Sequence, residues 1–161
     1  MELLQLFDSN KNMLNESIER DRKKEVPEGK YFMIILLFIE NGGKFLIQKA
    51  SGSRNSEYAI TGGHVTFGDD ALKTVIKEAR EELGLELKKE ELKEIEIITY
   101  PLCHVAIYYC NKNIDINNLN LQDEEVDSVY WMSVDEINEL ISEDKFRKSN
   151  IVPFQKVLEK R

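Results

Sequence analysis

The sequence predicts a single α/β (α+β) domain. The apolar run 31–39 is followed by the hairpin signal Asn41-Gly42-Gly43 and a second strand-like run at 44–49. Apolar residues at helical spacing extend over 71–83. Strand patterns followed by helical patterns fill the second half of the chain.

Residues 3–7 and 14–19 are predicted to form a hairpin around the turn-rich segment 8–12. A charged segment and a loop closed by Pro27-Glu28-Gly29 follow it, and we define 1–28 as the N-terminal arm. Continuous apolar character predicts that 31–39 is a central strand covered on both faces. The remaining elements follow from the same patterns: a polar loop at 51–56, strands at 95–100, 104–110 and 127–132, a helix from the capping box Ser133 and Glu136 to about 142, and a helix over 150–161.

The helix pattern at 71–83 gathers three carboxylates on one stripe. At about 100° per residue, Glu78, Glu81 and Glu82 lie together at the border of the apolar face. An acidic helix face is usually only solvated. Here the like charges at spacings of three and four repel each other, and a divalent cation would relieve that repulsion.

Glycine and acidic residues at fixed spacing carry a family resemblance. Gly63, five residues, Asp69, seven residues and then Lys-Glu-Ala-Arg-Glu-Glu-Leu-Gly-Leu at 77–85 resemble the Nudix box, G-x5-E-x7-R-E-U-x-E-E-x-G-U, where U is aliphatic. All specified positions match except two, where Asp69 replaces Glu and Lys77 replaces Arg. The resemblance implies a single Nudix hydrolase domain over 1–161, an α/β/α sandwich with a mixed sheet, and a box at 63–85.

The two replaced positions belong to the residues that the resemblance makes structural: Gly63, Asp69, Lys77 and Gly84. The Arg of the family orients the acidic residues of the box. Lys77 keeps the charge but lacks the planar fork that holds two carboxylate oxygens. We therefore expect Asp69 and Lys77 to affect the rate and the metal affinity rather than the fold.

The resemblance implies a metal-dependent hydrolase that cleaves a nucleoside diphosphate linked to another group, X, by in-line attack of water on phosphorus. Its metal ligands would be the backbone carbonyl of Gly62 and the side chains of Glu78, Glu81 and Glu82. Oxygen ligands of this kind favour Mg²⁺, with Mn²⁺ as a substitute. The catalytic set comprises Glu81, Glu82, Glu124 and Glu125, and the general base stays open among Glu82, Glu124 and Glu125.

Three residues are candidates for contact with the substrate. Lys49 and Arg54 could meet its phosphates, although both could instead be exposed solubilising charges. His64 could bind the substrate or could be a structural histidine beside two glycines.

Two other functions are weighed against hydrolysis. The arm resembles one found in the branch of Nudix proteins related to isopentenyl-diphosphate isomerase, where a Cys-Gly-His segment supplies a catalytic Cys. Here Gly62-Gly63 precede His64, so isomerase activity is the weaker alternative. The third alternative is a catalytically weakened Nudix domain that senses a nucleotide.

Composition limits the partners of the chain. Its formal net charge of -8 argues against a nucleic-acid binder, and its longest apolar run is too short to span a membrane. Cys103 and Cys110 are interpreted as reduced, buried residues of a cytoplasmic protein. The expected partner is a small-molecule diphosphate, and a homodimer through an exchanged N-terminal arm is an alternative to a monomer.

Overall fold

A mixed sheet lies between helices in the computed structural model, which describes residues 1–50, 57–122 and 126–161. The strands in these ranges are β1 Leu3–Phe7, β2 Met13–Glu19, β3 Phe32–Asn41, β4 Lys44–Ala50, β5 Tyr58–Ala59, β6 Thr61–His64, β7 Lys93–Tyr100, β8 Cys103–Asn111 and β9 Val126–Ser133. The α-helices are α1 Ala71–Glu78, α2 Val134–Ser142 and α3 Ile151–Lys160. Shorter helical segments are the π-helical turn Ala79–Leu83 and the 3₁₀ helices Arg20–Glu25, Lys89–Glu91, Ile116–Asn118 and Lys148–Asn150.

The sheet is organised around β3. This strand pairs in parallel with β8, and β8 pairs with β7. On its other edge β3 pairs with β4 only at Glu40 and Asn41, whereas its residues 34–37 pair with β6. The strands β4 and β6 therefore diverge along one edge of β3, with β5 and β9 beside β4.

The alternating residues of β3 pack on two different helical layers, because successive side chains of a strand point to opposite faces. One face joins α1 and the π-helical turn in a core that includes Ile35, Leu37, Ile39, Val75, Ala79 and Leu83. The other joins α2 and α3 in a core that includes Leu36, Phe38, Ile137, Phe154 and Val157. The predicted α/β/α arrangement, with a central strand covered on both faces, is confirmed.

The N-terminal hairpin is also confirmed, since β1 and β2 pair antiparallel. Leu4 and Leu6 of the hairpin pack in one apolar cluster with Val26 and with Phe32 of β3. The backbone N–H of Gln5 donates to the carbonyl of Val65 over 3.1 Å, and that of Phe67 donates to Leu3 over 2.9 Å. The hairpin is thus fixed to the loop that precedes α1, and an exchange of the arm between subunits stays a prediction.

Two local structures were not expected from the sequence pattern. The charged segment of the arm forms the 3₁₀ helix Arg20–Glu25, and the last turn of the box helix is π-helical. No helix within the described ranges is both long enough and apolar enough to cross a membrane.

The turn of the N-terminal hairpin is held by a fully buried histidine. His104 Nε2 lies 2.9 Å from the carbonyl oxygen of Asp8, and its Nδ1 lies 2.8 Å from Thr99 Oγ1. The ring also stacks on Tyr31 at a centroid distance of 4.3 Å. Because a carbonyl only accepts, Nε2 carries the proton and Nδ1 accepts from the hydroxyl of Thr99. Burial lowers the pKa of His104, so the neutral form is favoured.

The lowered pKa of His104 predicts that the protein loses stability in mild acid. Its pKa in the unfolded chain is about 6.5, and its pKa in the folded protein is lower, so the unfolded state binds more protons as the pH falls. We expect the free energy of unfolding to decrease as the pH falls below about 6.5. Urea unfolding between pH 7.5 and 5.5 would measure it, and His104→Gln should flatten the slope. An equal slope in the variant would contradict the assignment.

Candidate functional site

A cavity of about 780 Å³ opens where β4 and β6 diverge. Its described walls come from the arm, the sheet, the box helix and the segment before α3. Lining residues on the sheet and the box are Ile34, Leu36, Gln48, Ala50, Ala59, Ile60, Gly62, Gly63, His64, Thr66, Lys77, Glu78, Glu81 and Glu82. The others are Glu2, Arg20, Lys23, Gln122, Arg147, Ser149 and Asn150.

The box helix begins directly after Asp70, a residue type that is favoured at the N-cap position. Asp70 is its N-cap, and the Asp70 carboxylate accepts from the backbone N–H of Lys73 over 2.8 Å. The hydroxyl of Thr74 donates to the carbonyl of Asp70 over 2.7 Å. The cap satisfies the N–H of Lys73 in the first turn, whereas the Thr74 hydroxyl adds a second donor to a carbonyl that already accepts the backbone N–H of Thr74.

The helix ends in a π-helical turn that a later loop supports. Gly84 follows this turn with a φ of 67°, the left-handed conformation expected of a C-cap glycine. The backbone N–H groups of Asn120 and Gln122 donate to the carbonyls of Leu83 and Glu82, each over 3.0 Å. A Cβ on residue 84 would lie 2.7 Å from the Cβ of Asn120. The contact between helix end and loop therefore requires glycine.

Glu78 packs directly on β6. A Cβ on Gly63 would lie 2.5 Å from both Cδ and Oε1 of Glu78. Gly62 is restricted in a different way, since its Cβ would lie 2.6 Å from the carbonyl oxygen of Ile35. The two glycines therefore let the box helix and two strands approach each other closely.

The three box glutamates line the same cavity at different depths. Glu82 is only 4% exposed, Glu78 is half-buried and Glu81 is exposed. Their carboxylates are the oxygen donors that Mg²⁺ and Mn²⁺ accept, so the residues present fit such an ion. Within residues 1–50, 57–122 and 126–161, no three His, Cys, Asp or Glu side chains already form a group that could hold a metal. Their role as metal ligands therefore stays a prediction.

The two residues that depart from the box pattern contact each other. Lys77 Nζ lies 4.0 Å from Asp69 Oδ2, and the Thr66 hydroxyl donates to the same oxygen over 3.0 Å. Both charged side chains are at least one-third exposed, so the ion pair contributes less than about 1 kcal/mol to stability. Lys77 also lines the described cavity, as Glu81 does.

The predicted substrate contacts are placed differently. His64 lines the cavity. Lys49 lies on the other face of β4 from Gln48 and Ala50, and its ammonium group is 5.8 Å from the centroid of the Tyr58 ring. The structure thus separates Lys49 from the described cavity wall. Arg54, Glu124 and Glu125 lie outside the described residues, so their proposed roles stay predictions.

Several cavity residues were missed in the sequence because they come from distant segments. Arg20 and Lys23 belong to the arm, whereas Arg147 and Asn150 precede α3. Asn150 is buried, and its side-chain oxygen accepts from the backbone N–H of Ile60 over 2.9 Å. The charge density of segment 19–24 was visible in the sequence, but nothing in it indicated which cations face the site.

Neither cysteine lines the described wall of the cavity. Both are free thiols, as expected; Cys110 is buried, whereas Cys103 is half-buried rather than buried. Burial raises the pKa of Cys103 to about 12 and also raises the pKa of Cys110. Both groups are therefore protonated near neutral pH.

The contact between Gly63 and Glu78 predicts a specific double-mutant result. Gly63→Ala should destabilise the protein and weaken Mg²⁺ binding, because its methyl group would displace the Glu78 carboxylate. In a Glu78→Ala background the same substitution should cost markedly less stability. Thermal unfolding and calorimetric titration of Mg²⁺ would measure both effects. An equal cost in the two backgrounds would show that the contact is not the cause.

Comparison with known proteins gives the family. The model described as NUDIX domain matches residues 30–154. The mouse protein named NAD(P)H pyrophosphatase NUDT13, mitochondrial, is 22% identical over 110 residues, which cover 65% of this chain and 30% of that protein. The chain thus spans less than a third of the length of that curated relative.

Solved structures show the same fold. DR0079 from Deinococcus radiodurans is similar with a TM-score of 0.72 at 18% identity, covering 93% of this chain and 94% of that chain. A bifunctional NMN adenylyltransferase/ADP ribose pyrophosphatase from Francisella tularensis, complexed with AMP and a Mn ion, has a TM-score of 0.63 at 15% identity. That match covers 84% of this chain and 43% of the other. Since the family match spans most of the sequence and includes the whole box, this chain belongs to the Nudix domain family.

Proposed function

We propose that the chain is a metal-dependent hydrolase that cleaves the diphosphate linkage of a nucleoside diphosphate joined to another group, X. One observation carries the proposal: Glu78, Glu81 and Glu82 line the same cavity, and the Glu78 side chain packs on Gly63 of β6. The volume of about 780 Å³ lies within the range of small-molecule sites. Water would attack one phosphorus atom in line, and two phosphate-containing products would leave.

The three glutamates and the backbone at Gly62 would hold the ion, for which we propose Mg²⁺, with Mn²⁺ as a substitute. A bound divalent ion would polarise the P–O bonds, screen the charge of the diphosphate and lower the pKa of a bound water. Lys77 and Arg147 also line the cavity, although each pairs with an acid that does not line it, Asp69 and Glu57 respectively. Their remaining donors could contact an anionic substrate.

The general base is proposed from among the acids near the site. Glu82 has support because it is buried and lines the cavity. A general base must lie within reach of the attacking water, and a carboxylate on the cavity wall meets that condition. Glu124 and Glu125 stay as alternatives, because they directly follow Asp123 in the segment after the cavity residue Gln122.

The names of two similar proteins support the substrate class. One is an NAD(P)H pyrophosphatase, and another includes an ADP ribose pyrophosphatase. We therefore place dinucleotides and nucleoside diphosphate sugars first among the substrates to be tested. Isomerase activity has no support from the described cavity wall, where no cysteine stands before His64.

Hydrolysis of a substrate panel tests the proposal. The panel contains NADH, ADP-ribose, nucleotide sugars, dinucleoside polyphosphates, coenzyme A and nucleoside triphosphates, each with Mg²⁺, Mn²⁺ or EDTA. Mass spectrometry would identify the products. We expect metal-dependent cleavage at the diphosphate of at least one compound. Absence of turnover across the panel in protein that binds Mg²⁺ would favour the nucleotide-sensor alternative.

Substitution of the box glutamates should separate catalysis from folding. We expect Glu81→Gln and Glu82→Gln to lower kcat by about 100-fold or more, the size of effect that one electrostatic group has in an active site. Glu86→Gln is the matched control, because Glu86 follows the same helix but pairs with Arg80 outside the cavity. Steady-state rates and circular dichroism would be compared. Turnover in Glu82→Gln equal to that in Glu86→Gln would contradict the proposed site.

A further inference from the structure

The N-terminal arm forms one wall of the cavity and brings positive charge to it. Three of its side chains line the cavity, namely Glu2, Arg20 and Lys23. Both cations come from the 3₁₀ helix Arg20–Glu25, which follows the hairpin. The arm wall therefore carries two positive charges and one negative charge.

Lys23 is the better placed of the two cations. Its Nζ lies 3.0 Å from His64 Nε2 and 5.4 Å from the centroid of the Phe32 ring. Since an ammonium group only donates, His64 Nε2 accepts in this contact. The side chain is half-buried, so solvent screens its charge less than it screens a fully exposed lysine.

Arg20 is more exposed and partly neutralised. Its Nη1 lies 3.1 Å from Glu2 Oε1, and its side chain is 46% exposed. The next two basic residues of the segment do not line the described cavity: Arg22 pairs with Glu25, and Lys24 is exposed. The segment thus directs two of its four cations to the site.

The position of Lys23 is fixed relative to the box. Its contact residue His64 follows Gly63, the residue on which Glu78 packs. The side chain of Gln5 ties the arm to the box loop, because its Oε1 accepts from the backbone N–H of Gly68 over 3.0 Å. A cation on the arm therefore has a defined place beside the proposed reaction centre.

The described cavity wall also lacks a platform for stacking. Apart from the imidazole of His64, none of its lining side chains in the described ranges is aromatic. Recognition of a group on this wall would therefore depend on charge and hydrogen bonds rather than on a stacked ring.

We propose that Lys23, assisted by Arg20, forms a subsite on the N-terminal arm for a second anionic group of the substrate, a phosphate or carboxylate beyond the diphosphate that is cleaved. This inference rests on the proposed function, which supplies the diphosphate. It makes Lys23 a residue that determines specificity: a substrate with the additional anion binds more tightly than its counterpart without it.

Calorimetric titration with inorganic tripolyphosphate and diphosphate in Mg²⁺ decides whether the subsite exists. Lys23→Met removes the charge and keeps an apolar stem against Phe32, whereas Lys24→Met removes the same charge outside the described cavity. We expect Lys23→Met to weaken tripolyphosphate binding by about tenfold, the effect of one charged hydrogen bond, and diphosphate binding by much less. Lys24→Met should bind tripolyphosphate like the wild type, and Lys23→Arg should retain most of the wild-type affinity because it keeps the charge. Thermal unfolding would confirm that each variant is folded.

Equal tripolyphosphate affinity in Lys23→Met and Lys24→Met would overturn the subsite, and so would a wild type that binds tripolyphosphate no better than diphosphate. The Lys23→Met effect should also shrink as NaCl rises from about 0.05 to 0.5 M, because salt screens such contacts. These titrations need no turnover. If Lys23→Met weakens tripolyphosphate binding but no compound is hydrolysed, the subsite is retained and the proposed reaction is rejected. If a compound is hydrolysed but Lys23→Met binds tripolyphosphate as Lys24→Met does, the reaction is retained and the subsite is rejected.

Substrate pairs that differ by one anionic group would identify the anion. Suitable pairs are NADPH and NADH, coenzyme A and dephospho-coenzyme A, and UDP-glucuronic acid and UDP-glucose. In at least one pair the wild type should prefer the more anionic member by about tenfold in kcat/KM, and Lys23→Met should bring that ratio towards one. Ratios unchanged by Lys23→Met in every pair that is hydrolysed would contradict the assignment.

Discussion

The close approach of the Glu78 side chain to Gly63 is the contact on which the rest of the site depends. Any side chain at residue 63 would occupy the space of that carboxylate. Because glycine stands there, the acidic stripe of the box helix reaches β6 directly, while the apolar stripe of the same helix packs on β3. One helix therefore contributes to the core and presents carboxylates to the cavity.

The two ends of that helix are held by different means. Its beginning is stabilised within the box by the Asp70 cap, which depends on neighbours in sequence. Its end depends on the loop at 120–122, whose N–H groups bind the carbonyls of Glu82 and Leu83. The position of the buried Glu82 is thus coupled to a distant segment, and that segment leads directly to the acidic residues 123–125.

The arm acts as part of the site because of how it is attached. Buried apolar residues and the hydrogen bonds of Gln5 fix it to the box loop, and His104 holds its turn. The arm can therefore present Lys23 at the same cavity that the carboxylates of the box helix line. A cavity with both signs of charge suits an anionic substrate, because the carboxylates would bind it through a divalent metal ion and the cations would bind it directly.

Local patterns determined the helices, the hairpins, the box and its glutamates, because caps, turns and hydrophobic periodicity act between residues close in sequence. The pairing of β3 with β8 and β6, the π-helical turn supported by Asn120 and Gln122, and the cavity contacts of Lys23 and Arg147 were decided by tertiary structure. Lys49 shows the reason: its charge was visible, but strand register placed it on the opposite face from Gln48. The face of a strand that lines a cavity depends on pairing with strands that are distant in sequence, and a single sequence does not identify those strands.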